Sequence, residues 1–487
     1  MAQQHFDRLS AIDTAFLHQE GVNSHMHVGA VTIFEGPPPA YEEFLDSIRG
    51  RLHLVPRYRQ KLTFPRFETA RPLWVDDPSF NLEFHVRQTA LPRPGAESQL
   101  MGLAARIFSQ QLDRSKPLWE LWMIEGVEPA SPGGTHRFAL ISKNHHALVD
   151  GISGIDLATV LFDVSPVPPE IPHPDDAWQP EPVPSVAQVL ASGALDVVRA
   201  GIGGVTGALG VIAKPTTVLG EVLEAAEGIG ELVWAGMNPA PQTPLNVPIG
   251  PHRRFVGVRA ELRDFKLVKD TFGGTVNDVV LTAVSGSLRQ FLRSRGIRIE
   301  GLELRALVPV SIRAEQERGQ FGNRIAAMRG PLPVYVEDPV ARLRAVRAGM
   351  DDLKRSKQAV GAEVLASVQG FAPPTVLAQA SRLNFSTRLF NLIVTNIPGP
   401  QFPIYARGRE LQDVFPVAFL PEDHALAIAI MSYNGKVNFG LLGDYDALGD
   451  LQKLADGLDQ SLAELVALAK KGGGSRQAAG DETGPMA

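Results

Sequence analysis

Residues Arg137 to Gly151 read RFALISKN followed by HHALVDG. The first eight, Arg137–Asn144, follow a loop punctuated by Gly133-Gly134 and read as a strand. That strand delivers the chain to His145-His146, then to three small or apolar residues, then to Asp150-Gly151. Imidazole, with an ordinary pKa near ~6.5, is neutral at pH 7 and suited to taking a proton from a hydroxyl group. Neighbouring side chains of an extended strand face opposite ways. One histidine is therefore expected to enter a site and the other to support it. Asp150 in a turn, with Gly151 permitting positive φ, suits an internal ion pair that holds the loop.

Other chemistries fit this stretch less well. His146 and Asp150 are spaced as metal ligands on a helix would be, but no third ligand accompanies them. The chain has no cysteine and no H-E-x-x-H motif, so no metal site is expected. No G-x-S-x-G elbow occurs, and Gly151-Ile152-Ser153-Gly154 does not supply one. Gly201-Ile202-Gly203 is followed by Thr206 where a dinucleotide-binding loop needs its third glycine.

Working outward, Trp119–Gly126 reads as the strand that forms a hairpin with Arg137–Asn144. His27–Phe34 reads as another strand, and Tyr41–Leu54 as a helix. Residues 1–165 thus form a mixed α/β block. Residues 166–251 open on a proline-rich connector and continue through a segment of helical character, Ser185–Met237. Residues 252–470 form a second mixed block. It has strands at Phe255–Leu262, Leu302–Val310 and Leu389–Ile397, and helices starting near Leu267 and Thr275. A hairpin over Ala425–Leu442 turns at Asn434-Gly435. Residues 471–487 are polar and glycine-containing and are expected to be a disordered tail.

The 487 residues are 44% hydrophobic and 21% charged, with a formal net charge of −6. This is the composition of a globular protein with a large core. It carries no basic surplus that would call for nucleic acid. Met1–Asp13 lacks the apolar region of a secretory signal, and no stretch is long and apolar enough to span a bilayer. Seven Arg or Lys and one acidic residue lie between Arg49 and Arg71. That stretch and the glycine-rich block Ser185–Met237 are the candidate contacts with a lipid surface.

HHxxxDG is the signature of the coenzyme A-dependent, chloramphenicol acetyltransferase-like acyltransferases, and His145–Gly151 matches it without departure. More of the chain resembles the bacterial wax ester synthase/acyl-CoA:diacylglycerol acyltransferases. The strings that carry this run in order over nearly the whole length. They are Leu9-Ser10-Ala11-Ile12-Asp13 with Phe16-Leu17, Met26-His27-Val28-Gly29, Val55–Gln60, and Pro117-Leu118-Trp119. After these come Thr243–Asn246, Ile249–Phe255, Asn277–Leu281, Val308–Ser311, Gly322-Asn323 and Thr395–Pro400.

The resemblance implies two similar α/β domains, each a mixed sheet with helices, and an active-site tunnel between them. It implies an acyl group moved from acyl-CoA to diacylglycerol or a long-chain alcohol, with His146 as general base. By the same resemblance His145 is supporting, Asp150 structural, and Asn277-Asp278 line the substrate site. The Asn277-Asp278 pair is also a reasonable helix start in its own right. No cofactor beyond the acyl-CoA co-substrate is implied, and a cytoplasmic protein attached peripherally to membrane or lipid droplets is expected. A condensation-like domain or a lipid-binding protein with a different acceptor is the alternative.

Overall fold

The computed structural model describes residues 7–64, 71–149, 161–168, 170, 178–182, 239–311, 325–355 and 386–481. Asp150, Gly151, Gly322, Asn323 and the segment Ser185–Met237 lie outside them.

The first half contributes β1 (Asp7–Arg8), α1 (Ala11–Gln19), β2 (His27–Glu35) and α2 (Tyr41–Arg51). These are followed by β3 (Gln60–Thr63), β4 (Leu73–Asp76), α3 (Leu82–His85), β5 (Val86–Ala90) and α4 (Glu97–Phe108). It closes with β6 (Trp119–Val127), β7 (Arg137–His145) and the one-turn α5 (His146–Val149). The second half runs β8 (Arg253–Glu261), α6 (Leu262–Phe272), α7 (Val276–Ser294), β9 (Leu304–Ser311), β10 (Ile325–Leu332) and α8 (Pro339–Arg355). Then come β11 (Leu392–Pro398), β12 (Tyr405–Ala406), β13 (Arg409–Val417), β14 (Leu426–Tyr433), β15 (Lys436–Asp444) and α9 (Leu451–Asp481).

Two six-stranded mixed sheets result, ordered β12-β13-β2-β7-β6-β5 and β10-β9-β11-β14-β15-β8, with a small β1-β4-β3 sheet beside the first. β7 is central in the first sheet and β14 in the second, and both are buried along most of their length. β14 accordingly reads as a nearly continuous apolar run, whereas in β7 only Phe138–Ile141 are apolar. β14 and β15 form the expected hairpin, with Asn434 and Gly435 at φ 43° and 82°, the geometry a tight two-residue turn demands.

Two strands of the second half, β12 and β13, belong to the first sheet. β13 pairs antiparallel with β2, placing Val417 opposite Gly29, and Gly29 in turn lies opposite Lys143 of β7. The sheets therefore share a single core that joins Met26 and Ile141 to Phe255 and Ile430. Close approach across the junction depends on Gly257. A Cβ there would lie 2.7 Å from Cδ1 of Phe415 and 3.0 Å from Cε of Met101.

Two expectations are corrected. The helix from Tyr41 stops at Arg51 and tightens into a 3₁₀ turn over Leu52–Leu54. The stretch 472–481, expected as tail, continues α9 as helix to Asp481. No proline interrupts it before Pro485, and extending an existing helix avoids the cost of nucleation. In the basic stretch Arg49–Arg71, four of the described cations have carboxylate partners. Arg49 pairs with Asp46, Arg51 with Asp163, Arg57 with Asp7 and Lys61 with Asp77, while Arg59 lies 4.5 Å over the Trp178 ring.

Gly257→Ala is expected to displace Phe415 or Met101 and to cost about 1–3 kcal/mol as overpacking, read from the denaturant midpoint. An unchanged midpoint would mean that this junction is not close-packed.

Candidate active site

Register decides which groups meet. Phe419 lies two residues beyond Val417, at the level two residues before Gly29 and two after Lys143. That is the level of His27 and His145, which face each other across β2 and β7. Ser24 Oγ donates to the Leu420 carbonyl at 2.9 Å and holds this loop of the second half against the first.

α1 supplies the other wall. Its N-cap is Ser10, whose Oγ accepts from the Asp13 N–H at 3.0 Å and donates to Asp13 Oδ2 at 2.6 Å, a local reason for the Ser10-Ala11-Ile12-Asp13 string. Phe16 and Glu20 are four residues apart and so share a face of the helix. They meet the two histidines in order. Phe16 stacks on His146, with ring centroids 3.9 Å apart and planes at 26°. Phe419 meets the same imidazole edge-on at 5.6 Å and 89°. His146 is half-buried between these rings, and its backbone N–H donates to the Met26 carbonyl at 2.8 Å.

His145 is buried and differently surrounded. Its Nδ1 accepts from the Ala147 N–H at 3.1 Å. Since an N–H only donates, the ring proton of neutral His145 sits on Nε2. Nε2 lies 3.5 Å from Glu20 Oε2. Glu20 is the centre of a buried charge cluster. Arg114 Nε donates to Oε2 at 2.8 Å, its Nη2 donates to the same oxygen, and His27 Nε2 lies 3.6 Å from Oε1. Burial alone would raise the Glu20 pKa. The His145 hydrogen bond and the Arg114 guanidinium outweigh it and bring the carboxyl down to about 2. His27 is held neutral well below its usual range, by burial first and then by Lys143 and its histidine neighbours.

Lys143, wholly enclosed, donates to the carbonyls of Ile107 at 3.0 Å and Gln110 at 2.8 Å. It thereby ties the C-terminal end of α4 to β7. Burial lowers its pKa to about 8 despite Glu120 at 3.7 Å.

The remaining expected site residues stand apart from this cluster in role. Asp278 completes a capping box at the start of α7, accepting from the Thr275 N–H at 2.7 Å and Oγ1 at 2.8 Å. Asn277 Oδ1 accepts from Asn396 Nδ2 at 3.2 Å, joining two of the strings that carry the resemblance. Trp119 is a third such node: its indole N–H donates to the Tyr58 carbonyl at 2.8 Å, and the Leu118 carbonyl accepts from the His145 N–H. Glu20, Arg114 and Phe419 were not singled out from the sequence. None lies in a spaced motif; the end of α1, the loop before β6 and the segment after β13 bring them to the histidines from distant parts of the chain.

A half-buried imidazole on an aromatic bed, beside a second imidazole fixed by a buried carboxylate, is an arrangement able to accept a proton from a substrate hydroxyl. Comparison with known proteins agrees. The family model for the wax ester synthase/diacylglycerol acyltransferase catalytic domain matches residues 9–280, and that for the C-terminal domain matches residues 321–466. The chain is 34% identical to the probable diacylglycerol O-acyltransferase tgs1 of Mycobacterium tuberculosis H37Rv, over 96% of this chain and 97% of the relative. The wax ester synthase/diacylglycerol acyltransferase structure from Marinobacter aquaeolei VT8 superposes with a TM-score of 0.65 at 28% identity, covering 95% of this chain and 100% of that one. A starter condensation domain of rhizomide synthetase shares the fold at 12% identity, with a TM-score of 0.58 over 96% of this chain and 95% of that domain. The chain belongs to the wax ester synthase/diacylglycerol acyltransferase family.

Proposed function

We propose that this protein transfers a long-chain acyl group from acyl-CoA to the hydroxyl of diacylglycerol, a long-chain alcohol, or both, with His146 as the base. The observation that carries this reading is the His146 ring, half-buried between Phe16 and Phe419 in a chain of this family. His146 removes the hydroxyl proton as the oxygen attacks the thioester carbonyl. The tetrahedral oxyanion collapses with cleavage of the carbon–sulfur bond, and the leaving thiolate takes the proton from the imidazolium. No acyl-enzyme forms. In this reading acyl-CoA is the co-substrate and no cofactor or metal takes part.

Both substrates carry long apolar chains, so the enzyme works at a lipid surface. Among the described residues no helix is long and apolar enough to cross a membrane, and attachment is peripheral in this reading. Because Arg49, Arg51, Arg57 and Lys61 each have a carboxylate partner, this attachment rests on apolar contact more than on charge.

Incubation with labelled palmitoyl-CoA plus dioleoylglycerol or hexadecanol tests the reaction, and labelled ester is the expected product. His146→Ala should lower turnover roughly 10²–10⁴-fold in a folded protein; wild-type turnover in that variant would remove His146 from the mechanism.

Glu20→Gln keeps the shape but removes the charge that orients His145. Misplacement of the pair on the scale of 1 Å costs roughly 10²-fold in rate. The variant should also lose stability, and the loss should depend on pH. The Glu20 carboxyl, near 4.5 when unfolded, titrates at about 2 in the fold. Its stabilisation is complete above about pH 4.5 and disappears as pH falls toward 2. The melting temperatures of wild type and Glu20→Gln should therefore differ at neutral pH and converge on acidification. A gap that stays constant across this range would show that the charge does not stabilise the fold.

Flotation with neutral liposomes should persist at 1 M salt, where screening shortens to about 3 Å. Binding that needs anionic lipid and vanishes in salt would restore the basic stretch as the anchor.

A further inference from the structure

The string Ile249–Phe255 has no place in the chemistry so far, yet its Arg253 is buried at the junction of the two halves. The Arg253 guanidinium donates through Nη1 to the carbonyls of Gly250 at 2.6 Å and His252 at 2.9 Å, and through Nη2 to the carbonyl of Asn23. Asp444 Oδ2 is 3.8 Å away and also accepts the Gly250 N–H at 2.7 Å. The backbone N–H of Arg253 donates to Ser109 Oγ, at the C-cap of α4, at 3.0 Å.

Residues 21–26 are the loop this guanidinium reaches. The loop starts directly after Glu20 and ends at Met26, whose carbonyl receives the His146 N–H. Two further bonds hold it to the second half, Asn23 Nδ2 to the Ile249 carbonyl at 2.9 Å and Ser24 Oγ to the Leu420 carbonyl. Within the loop, a ring nitrogen of His25 meets the Val22 carbonyl at 2.9 Å, and the Gly21 N–H donates to the Ser24 carbonyl. The only charged side chain among these holds is Arg253. A planar guanidinium bonds several carbonyls at fixed angles at once, which a lysine ammonium does not reproduce.

We propose that Arg253 is a positioning residue for acyl transfer: it clasps loop 21–26 to the second half and so sets the Glu20 carboxylate and the Met26 carbonyl against His145 and His146. The clasp acts through the loop, and Arg253 itself touches neither histidine. Removing it leaves the Asn23 carbonyl without its charged donor and lets both ends of the loop shift. The effect falls on the alignment of the base and leaves acyl-CoA binding largely intact. This inference rests on the acyl-transfer reading for its consequence, while the clasp itself is open to a test that needs no activity.

Two measurements on wild type and Arg253→Lys form that test. Amide hydrogen exchange should quicken at least tenfold at residues 21–26 and at the His146 N–H, with α7 and β14 unchanged. Steady-state kinetics on the folded fraction should show kcat lowered roughly 10–100-fold, with KM for acyl-CoA within about twofold. In Arg253→Ala, added guanidinium ion should restore part of kcat, and it should restore none in His146→Ala. If Arg253→Ala does not fold, the lysine variant still decides. Unchanged exchange at loop 21–26 and at His146 overturns the clasp. Quickened exchange with wild-type kcat overturns the positioning role. Absence of ester formation by the wild type would count against the acyl-transfer reading instead, and exchange alone would then judge the clasp.

Discussion

When β13 leaves the second half of the chain and pairs with β2, it imposes a register on everything near the histidines. Val417, Gly29 and Lys143 lie in one row across three strands. Strand side chains repeat every two residues, so a slip of one residue would turn Phe415 and Val417 away from the core. It would also move Phe419 off the imidazole of His146. The strand keeps its place because Phe415 is seated against Gly257 and Met101, and because Arg259 grips Asp413 at 3.0 Å and Glu97 at 2.7 Å and 2.8 Å. Two sheets that could otherwise fold as neighbours are thereby made one body with a shared site.

That body buries an unusual number of charges close together: Glu20, Lys143 and Arg253, with Arg114 reaching in from the side. Buried ions lose hydration worth several kcal/mol each, so such a cluster is weak evidence for stability. Each cation here has hydrogen-bond partners that pin a specific piece of backbone: Lys143 the end of α4, Arg253 the loop before Met26, Arg114 the Leu17 carbonyl at 3.1 Å. The cluster defines geometry at some expense in stability.

What the sequence made legible was local. The strand ending at His145, the Asn434-Gly435 hairpin and the start of α7 each follow from rules that operate within a few residues. β13 was not legible. Arg409–Val417 carries Glu410, Gln412, Asp413 and Pro416, and its partner β2 lies almost four hundred residues earlier. Glu20 escaped for the same reason, since Arg114 is 94 residues away. The partners of the basic stretch were not legible either: Arg51 finds Asp163, 112 residues on, and no count of charges along a window anticipates that. The resemblance named the fold and both histidines, while the groups that orient them came only from the three-dimensional register.

Lys143 carries a consequence of its own. An amine whose pKa is brought down to about 8 is unprotonated in roughly a tenth of molecules at pH 7. A free amine of that basicity attacks thioesters and would be converted to a stable amide, an irreversible self-inactivation for any protein that handles acyl-CoA. Here the nitrogen is sealed from solvent and aimed at the Ile107 and Gln110 carbonyls. The enclosure that makes the amine reactive is also what keeps the activated acyl group from reaching it.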